Sequence, residues 1–125
     1  MKAMISAFRP EYSLSENVTR TNFLKAQLTK LGLSFEIALG CYESSGELSA
    51  SVEVSPRDVE SLITLGHFLE QDTILVDTGE NDVFLFDCTT KAATSIGDYQ
   101  IEVNKEKALT ESNYSIIDGR YYIVA

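Results

Sequence analysis

The sequence predicts one α+β domain occupying residues 1–125. Three observations lead there. Short apolar or alternating runs are interleaved with two stretches of helical periodicity. The boundaries between them carry capping and turn residues. An apolar share of 44% and a charged share of 23% are those of an ordinary globular chain. A domain of this length buries roughly two-thirds of the surface its unfolded chain exposes, so it needs neither a metal nor a disulfide to fold.

Lys2 to Phe8 is apolar and stops at Arg9-Pro10, which predicts a buried first strand ended by proline. Ser13 and Glu16 stand at capping-box spacing, Leu24, Leu28 and Leu31 fall on one helical face, and Gly32 suits the carboxyl end, so a helix is expected over about 15–31. Leu33 to Tyr42 reads as a strand, and Ser44-Ser45-Gly46 as a turn. Beyond it Leu48, Ala50, Val52 and Val54 alternate with Ser49, Ser51 and Glu53, which predicts a half-buried strand closing a hairpin. Ser55-Pro56 opens a second helix with an apolar stripe of Val59, Leu62, Ile63 and Leu69. Asp72 to Val76 is the next strand.

Strand, helix, strand, strand, helix, strand is the order of the ferredoxin-like (βαββαβ) sandwich, an antiparallel sheet with both helices on one face. Extra C-terminal strands are expected over Asp82–Cys88, Tyr99–Val103, Tyr114–Ile117 and Arg120–Val124, the last two joined by a type I′ turn at Asp118-Gly119. Asn104 to Ser112 is polar and reads as loop or short helix. Phe84, Phe86, Tyr99, Tyr114, Tyr121 and Tyr122 offer more aromatic surface than a monomer hides, which predicts an oligomer.

A net charge of −9 argues against a broad nucleic-acid face and against docking on anionic membrane; its plain effect is solubility. Met1-Lys2-Ala3-Met4-Ile5 gives only a very short apolar run before Arg9, and no stretch approaches the roughly 18 apolar residues of a membrane span, so a cytoplasmic protein is expected. Cys41 and Cys88 lack metal-ligand spacing and read as reduced thiols. The glycosylation patterns at Asn17 and Asn113 are read as chance. No phosphate-cradling glycine loop or nucleophile-elbow motif is present, and the lone His67 has no companion at ligand spacing, so no metal site is expected.

Several residues invite attention by placement. Arg9 and Arg20 have the fork geometry that orients a carboxylate, although Arg20 reads equally as a solvated helix residue. Tyr42, Glu43 and Glu47 flank the first hairpin turn, and Glu70 and Asp72 stand where the second helix gives way to a strand. Such acids are solvated loop residues or site residues, and His67 is a helix-surface residue or a base. Composition and spacing leave these alternatives open.

Ser6-Ala7-Phe8-Arg9 after an apolar strand, Asn17-Val18-Thr19-Arg20 opening a helix, Gly40-Cys41-Tyr42 closing the next strand, and Gln71-Asp72 leading into Ile74-Leu75-Val76 together resemble the phage S-adenosylmethionine (SAM) lyases, long described as SAM hydrolases. The resemblance runs from Ile5 to Val76 and leaves the role of 89–125 open. It implies a fold similar to the PII-like proteins and a homotrimer with sites at subunit interfaces. It also implies conversion of SAM to 5′-methylthioadenosine and L-homoserine lactone with no cofactor, in the cytoplasm of an infected host whose SAM-dependent restriction it starves. The implied catalytic residues are Tyr42, Glu47 and Asp72. Ser6, Ala7, Phe8 and Arg9 would line the substrate site, with Glu43 and Glu70 as rival acids. For Phe8 a core role is an equal reading. Two other readings remain: a non-catalytic PII-like module binding an adenine nucleotide or SAM, and an acidic DNA-mimicking anti-restriction protein.

Overall fold

The structure is a computed structural model that describes residues 1–42 and 45–125, with Tyr42 and Ser45 as backbone alone. Strand β1 spans Lys2–Ser6, helix α1 Leu14–Lys30, β2 Phe35–Tyr42, β3 Ser45–Glu53, helix α2 Val59–Phe68 and β4 Thr73–Asp77. Then follow β5 Val83–Asp87, β6 Ala93–Gly97, β7 Gln100–Val103, helix α3 Lys105–Leu109, β8 Tyr114–Ile117 and β9 Arg120–Val124. Among the described residues the fold is mixed α/β: one nine-stranded sheet in the order β6-β5-β4-β1-β3-β2-β8-β9-β7 with three helices. All eight strand pairings are antiparallel.

The alternating period of β1 and β3 divides this sheet into two faces. Ile5 pairs with Ala50 and Ala3 with Val52, and all four are buried in the core beneath α1 and α2. Leu24 and Leu28 of α1 and Leu62 and Ile63 of α2 complete that core. Gly66 lets α2 sit close, since a Cβ there would stand 2.8 Å from Cys88 Sγ and 3.2 Å from Ile74 Cγ2. Leu31, expected on the buried stripe of α1, is instead exposed, because the helix ends at Lys30 and the chain turns through Gly32 at φ +73°.

The opposite face curls inward. Ser115 Oγ of β8 lies 3.6 Å, and Gln100 Nε2 of β7 3.8 Å, from Met4 Sδ of β1, although two strands separate β1 from β8 in the sheet. The outermost strands β6 and β7 are consecutive in the chain, with Asp98 and Tyr99 between them. The N–H of Asp98 donates to Ala125 C=O at 2.7 Å, and Ala125 N–H donates to Tyr99 C=O at 2.9 Å. A Cβ at Gly97 would stand 2.5 Å from Val124 Cγ1, so only glycine allows this approach.

The curl revises two expectations. Ser49 and Ser51, placed by their alternation on a solvated face, are buried at 7% and 6% exposure because that face is the inside of the curl. Phe84, Phe86, Tyr114, Tyr121 and Tyr122 are half-buried, leaving Tyr99 exposed, so aromatic surplus alone no longer calls for a partner subunit. The first hairpin also differs in extent. β3 begins at Ser45 rather than Leu48, because Gly46 pairs with Cys41 and Glu47 with Gly40 as ladder residues. The expected turn residue Ser44 lies outside the described residues. Asp118-Gly119 turns with both φ positive, at 50° and 72°, as the β8–β9 hairpin requires.

Candidate functional site

The concave side of the sheet encloses a cavity of about 270 Å³, near the small end of the range for ligand pockets. Five strands and one loop supply the lining that carries its chemistry. Met4 and Ser6 come from β1, Glu47 and Ser49 from β3, Gln71 and Asp72 from the turn after α2, Gln100 from β7, Ser115 from β8 and Tyr122 from β9. The pleat explains the set. Ser6 pairs with Ser49, Met4 with both Ser51 and Leu75, and Tyr122 with Ser115, so all project to the face opposite the helices.

Ser6, in the floor, is already hydrogen-bonded. Ser6 Oγ donates to Leu48 C=O at 2.7 Å and accepts the Phe8 N–H at 3.1 Å. Glu47 is half-buried and faces Gly40, where a hypothetical Cβ would meet Glu47 Cγ at 3.9 Å. Burial pushes its carboxyl above the ordinary value of 4.5. Asp72 is exposed at the mouth, and its C=O accepts the Cys88 N–H at 2.9 Å. Burial, then contact with Cys41, pushes the Tyr114 phenol up as well. Two carboxylates thus face one cavity, and a cationic ligand gains from both.

Of the residues singled out in the sequence, Ser6, Glu47 and Asp72 meet in this cavity. Tyr42 ends β2, but its side chain, like the whole of Glu43, lies outside the described residues. Ala7, Phe8, Arg9 and Glu70 are not among the lining residues; they build its support. Ala7 is fully buried and its C=O accepts Arg20 Nε at 2.7 Å. Phe8 is half-buried and its C=O accepts the Gln71 amide at 3.1 Å. Arg9 pairs with Glu11 and donates to Glu70 C=O. The Glu70 carboxylate accepts Tyr12 Oη at 2.9 Å and Arg20 Nη1 at 3.3 Å.

Arg20 is neither solvated nor aimed at the cavity, and His67 is exposed on α2. Asn17, one of the two glycosylation patterns, is buried and grips the loop before α1. Its Oδ1 accepts the Arg9 N–H at 2.9 Å and its Nδ2 donates to Arg9 C=O at 3.0 Å. The sequence reading missed Met4, Gln100, Ser115 and Tyr122. Their only signal was alternation within short strands, which does not say that a face turns inward. A second, more open groove of about 630 Å³ lies between α1 and α2, where Phe23 and Phe68 stack at 5.5 Å. Among the described residues no group of three or more His, Cys, Asp or Glu gathers to hold a metal ion, and no helix is long and apolar enough to cross a membrane.

A curled sheet holding an acidic cavity on its concave side defines a domain built to receive a small ligand. The sequence matches the S-adenosylmethionine lyase family over residues 3–125, and the chain belongs to that family. Membership implies SAM as substrate and lyase chemistry. Among curated proteins none matches the sequence.

Proposed function

We propose that this chain cleaves SAM to 5′-methylthioadenosine and L-homoserine lactone by intramolecular displacement. A carboxylate oxygen of the substrate attacks its own γ-carbon, the C–S bond breaks, and the electron pair leaves with sulfur as a neutral thioether. Atoms and charge balance without water or a protein nucleophile. The protein's task is to fold the methionine moiety into the attack pose. Because carboxylate and sulfonium neutralise each other along the reaction, a partly dry cavity favours the transition state over the separated charges. Added metal and cofactor have no step in this scheme.

The observation that carries the reading is the convergence of Glu47 and Asp72 on one cavity in a chain of this family. Glu47 and Asp72 hold the substrate ammonium or the ribose hydroxyls, Tyr42 packs against the folded substrate, and Ser6 shapes the floor. The β4-β1-β3-β2 core, with its two crossover helices, supports a ferredoxin-like, PII-like unit. A homotrimer with sites at subunit interfaces, acting in the host cytoplasm against SAM-dependent restriction, completes the reading.

The test is chromatography of SAM incubated with EDTA-treated protein in ¹⁸O water. Methylthioadenosine with unlabelled homoserine lactone as first product is expected. Homoserine carrying solvent oxygen as first product identifies a hydrolase. Bound SAM recovered intact identifies a binding module.

A further inference from the structure

The carboxyl end of α2 departs from that of α1 in one residue. Both helices close with the same pair of bonds. Gly32 N–H reaches Thr29 C=O and Leu33 N–H reaches Leu28 C=O, each at 3.0 Å. Likewise Glu70 N–H reaches His67 C=O at 3.0 Å and Gln71 N–H reaches Gly66 C=O at 2.9 Å. This closure requires a left-handed residue. In α1 it is Gly32, at φ +73°; in α2 it is Glu70, at φ +61°. A side chain is disfavoured there, and glycine or asparagine would serve the helix better.

The Glu70 side chain has other partners. Its carboxylate takes the Tyr12 hydroxyl and Arg20 Nη1, while its C=O takes Arg9 Nη1. Arg20, only 19% exposed along its side chain, also donates to Ala7 C=O and Leu69 C=O and lies 4.7 Å above the Tyr12 ring. One guanidinium therefore joins the end of β1, the start of α1 and the end of α2. The residue before Ala7 is Ser6, and the residues after Glu70 are Gln71 and Asp72, all three in the cavity lining.

We propose that Glu70 and Arg20 are positioning residues: the hydrogen bonds that the Glu70 side chain accepts from Tyr12 and Arg20 fix Gln71 and Asp72 against Ser6 and so set the width of the cavity. The proposal rests on the lyase reading for its kinetic consequence. Misplacing a binding group by a fraction of an ångström costs rate even where the fold survives.

Glu70→Asn separates the two roles, because asparagine tolerates the left-handed turn but is too short to reach Tyr12 and Arg20. We expect kcat on SAM to fall about tenfold with KM changed far less. The melting temperature should hold or rise by up to about 3 °C. Glu70→Gln, which keeps an acceptor at full reach, should retain most of kcat, and Glu60→Gln on the α2 surface should match the wild type. Wild-type kcat in Glu70→Asn overturns the proposal. Should Glu70→Asn not fold, Tyr12→Phe carries the same kcat reading. If the wild type leaves SAM whole, the lyase reading falls by itself, and amide exchange at Gln71 and Thr73 still decides the clamp. Faster exchange in Glu70→Asn supports it, and unchanged exchange overturns it.

Discussion

Replacing Glu47 by glutamine keeps the shape of the side chain and removes its charge. The carboxylate stands half-buried in the cavity, where burial already raises its pKa. At a separation of about 4 Å and an effective dielectric near 20, a carboxylate and a cation attract by about 4 kcal/mol, which is a ceiling here. Exposure to solvent at the cavity mouth screens part of this. A hydrogen bond to a charged group contributes a net of about 1.5–3 kcal/mol. Taking about 2 kcal/mol, kcat/KM for SAM should fall about 30-fold in Glu47→Gln at neutral pH. The fold should respond in the opposite sense. A carboxyl whose folded pKa exceeds its unfolded value binds more protons in the native state. Its contribution to stability is therefore present at low pH and lost as pH rises above 4.5 through the folded value. At neutral pH Glu47 is a net cost to the fold, and the glutamine variant should melt at an equal or higher temperature than the wild type. Initial rates of methylthioadenosine formation and a thermal melt read the two effects. A variant with wild-type kcat/KM, or one slowed only in proportion to a lower melting temperature, refutes the assignment.

The wild-type rate should fall on its acid side at a pH above the ordinary glutamate value of 4.5, and in Glu47→Gln that limb should shift or vanish in a pH profile of kcat/KM. Gly97→Val places a Cβ against Val124 and the Ala125 carbonyl, so urea midpoints should show a loss of about 1–3 kcal/mol. Asn17→Ala strips the partner from the Arg9 N–H and should cost about 1–3 kcal/mol in the same assay. The Cys88 thiol, pushed by burial from 9.0 to about 11, should resist iodoacetamide in the native protein and react on unfolding. The fold keeps that thiol protonated, so the stability it contributes is lost as pH rises from 9 toward 11, measurable as a falling melting temperature.

Local signals carried the helices and most strands. Ser13 does cap α1, accepting the Glu16 N–H at 3.1 Å, and Leu24, Leu28, Leu62 and Leu69 are buried as their spacing required. The second helix opens through a 3₁₀ turn at Pro56–Asp58, where the Asp58 carboxylate takes the Ser55 N–H. The polar segment of uncertain type holds α3, capped by Asn104 through the Lys107 N–H. Strand β6 went unread. Ala93, Thr94 and Ser95 are small or polar and exposed, and only their pairing with β5 makes them a strand. Only part of the candidate site was legible, for a related reason. Ser6, Glu47 and Asp72 sit at element ends with recognisable words around them, whereas Gln100 and Tyr122 belong to short strands that were expected but whose pattern does not say which face turns inward. What brings those strands opposite Met4 is the meeting of Gly97 with Val124 and Ala125, a contact between distant parts of the chain that no window of sequence displays.

The hydrogen bonding of the cavity bears on which chemistry it can serve. Ser6, the one hydroxyl of the singled-out residues in the cavity, gives its proton to Leu48 C=O and takes the Phe8 N–H, so both its donor and an acceptor position are used by the backbone. A serine nucleophile needs a base at that proton, and here a carbonyl occupies the place. Among the described residues, no buried side-chain nitrogen or oxygen lacks a partner. Ser6 is therefore a finished part of the floor, and the side chains of Glu47 and Asp72 line the cavity beside it. A rigid floor with acids beside it can bend and hold a flexible cation. Under the proposed displacement the substrate carries both its nucleophile and its leaving group, and restricting its conformation is then the main catalytic task.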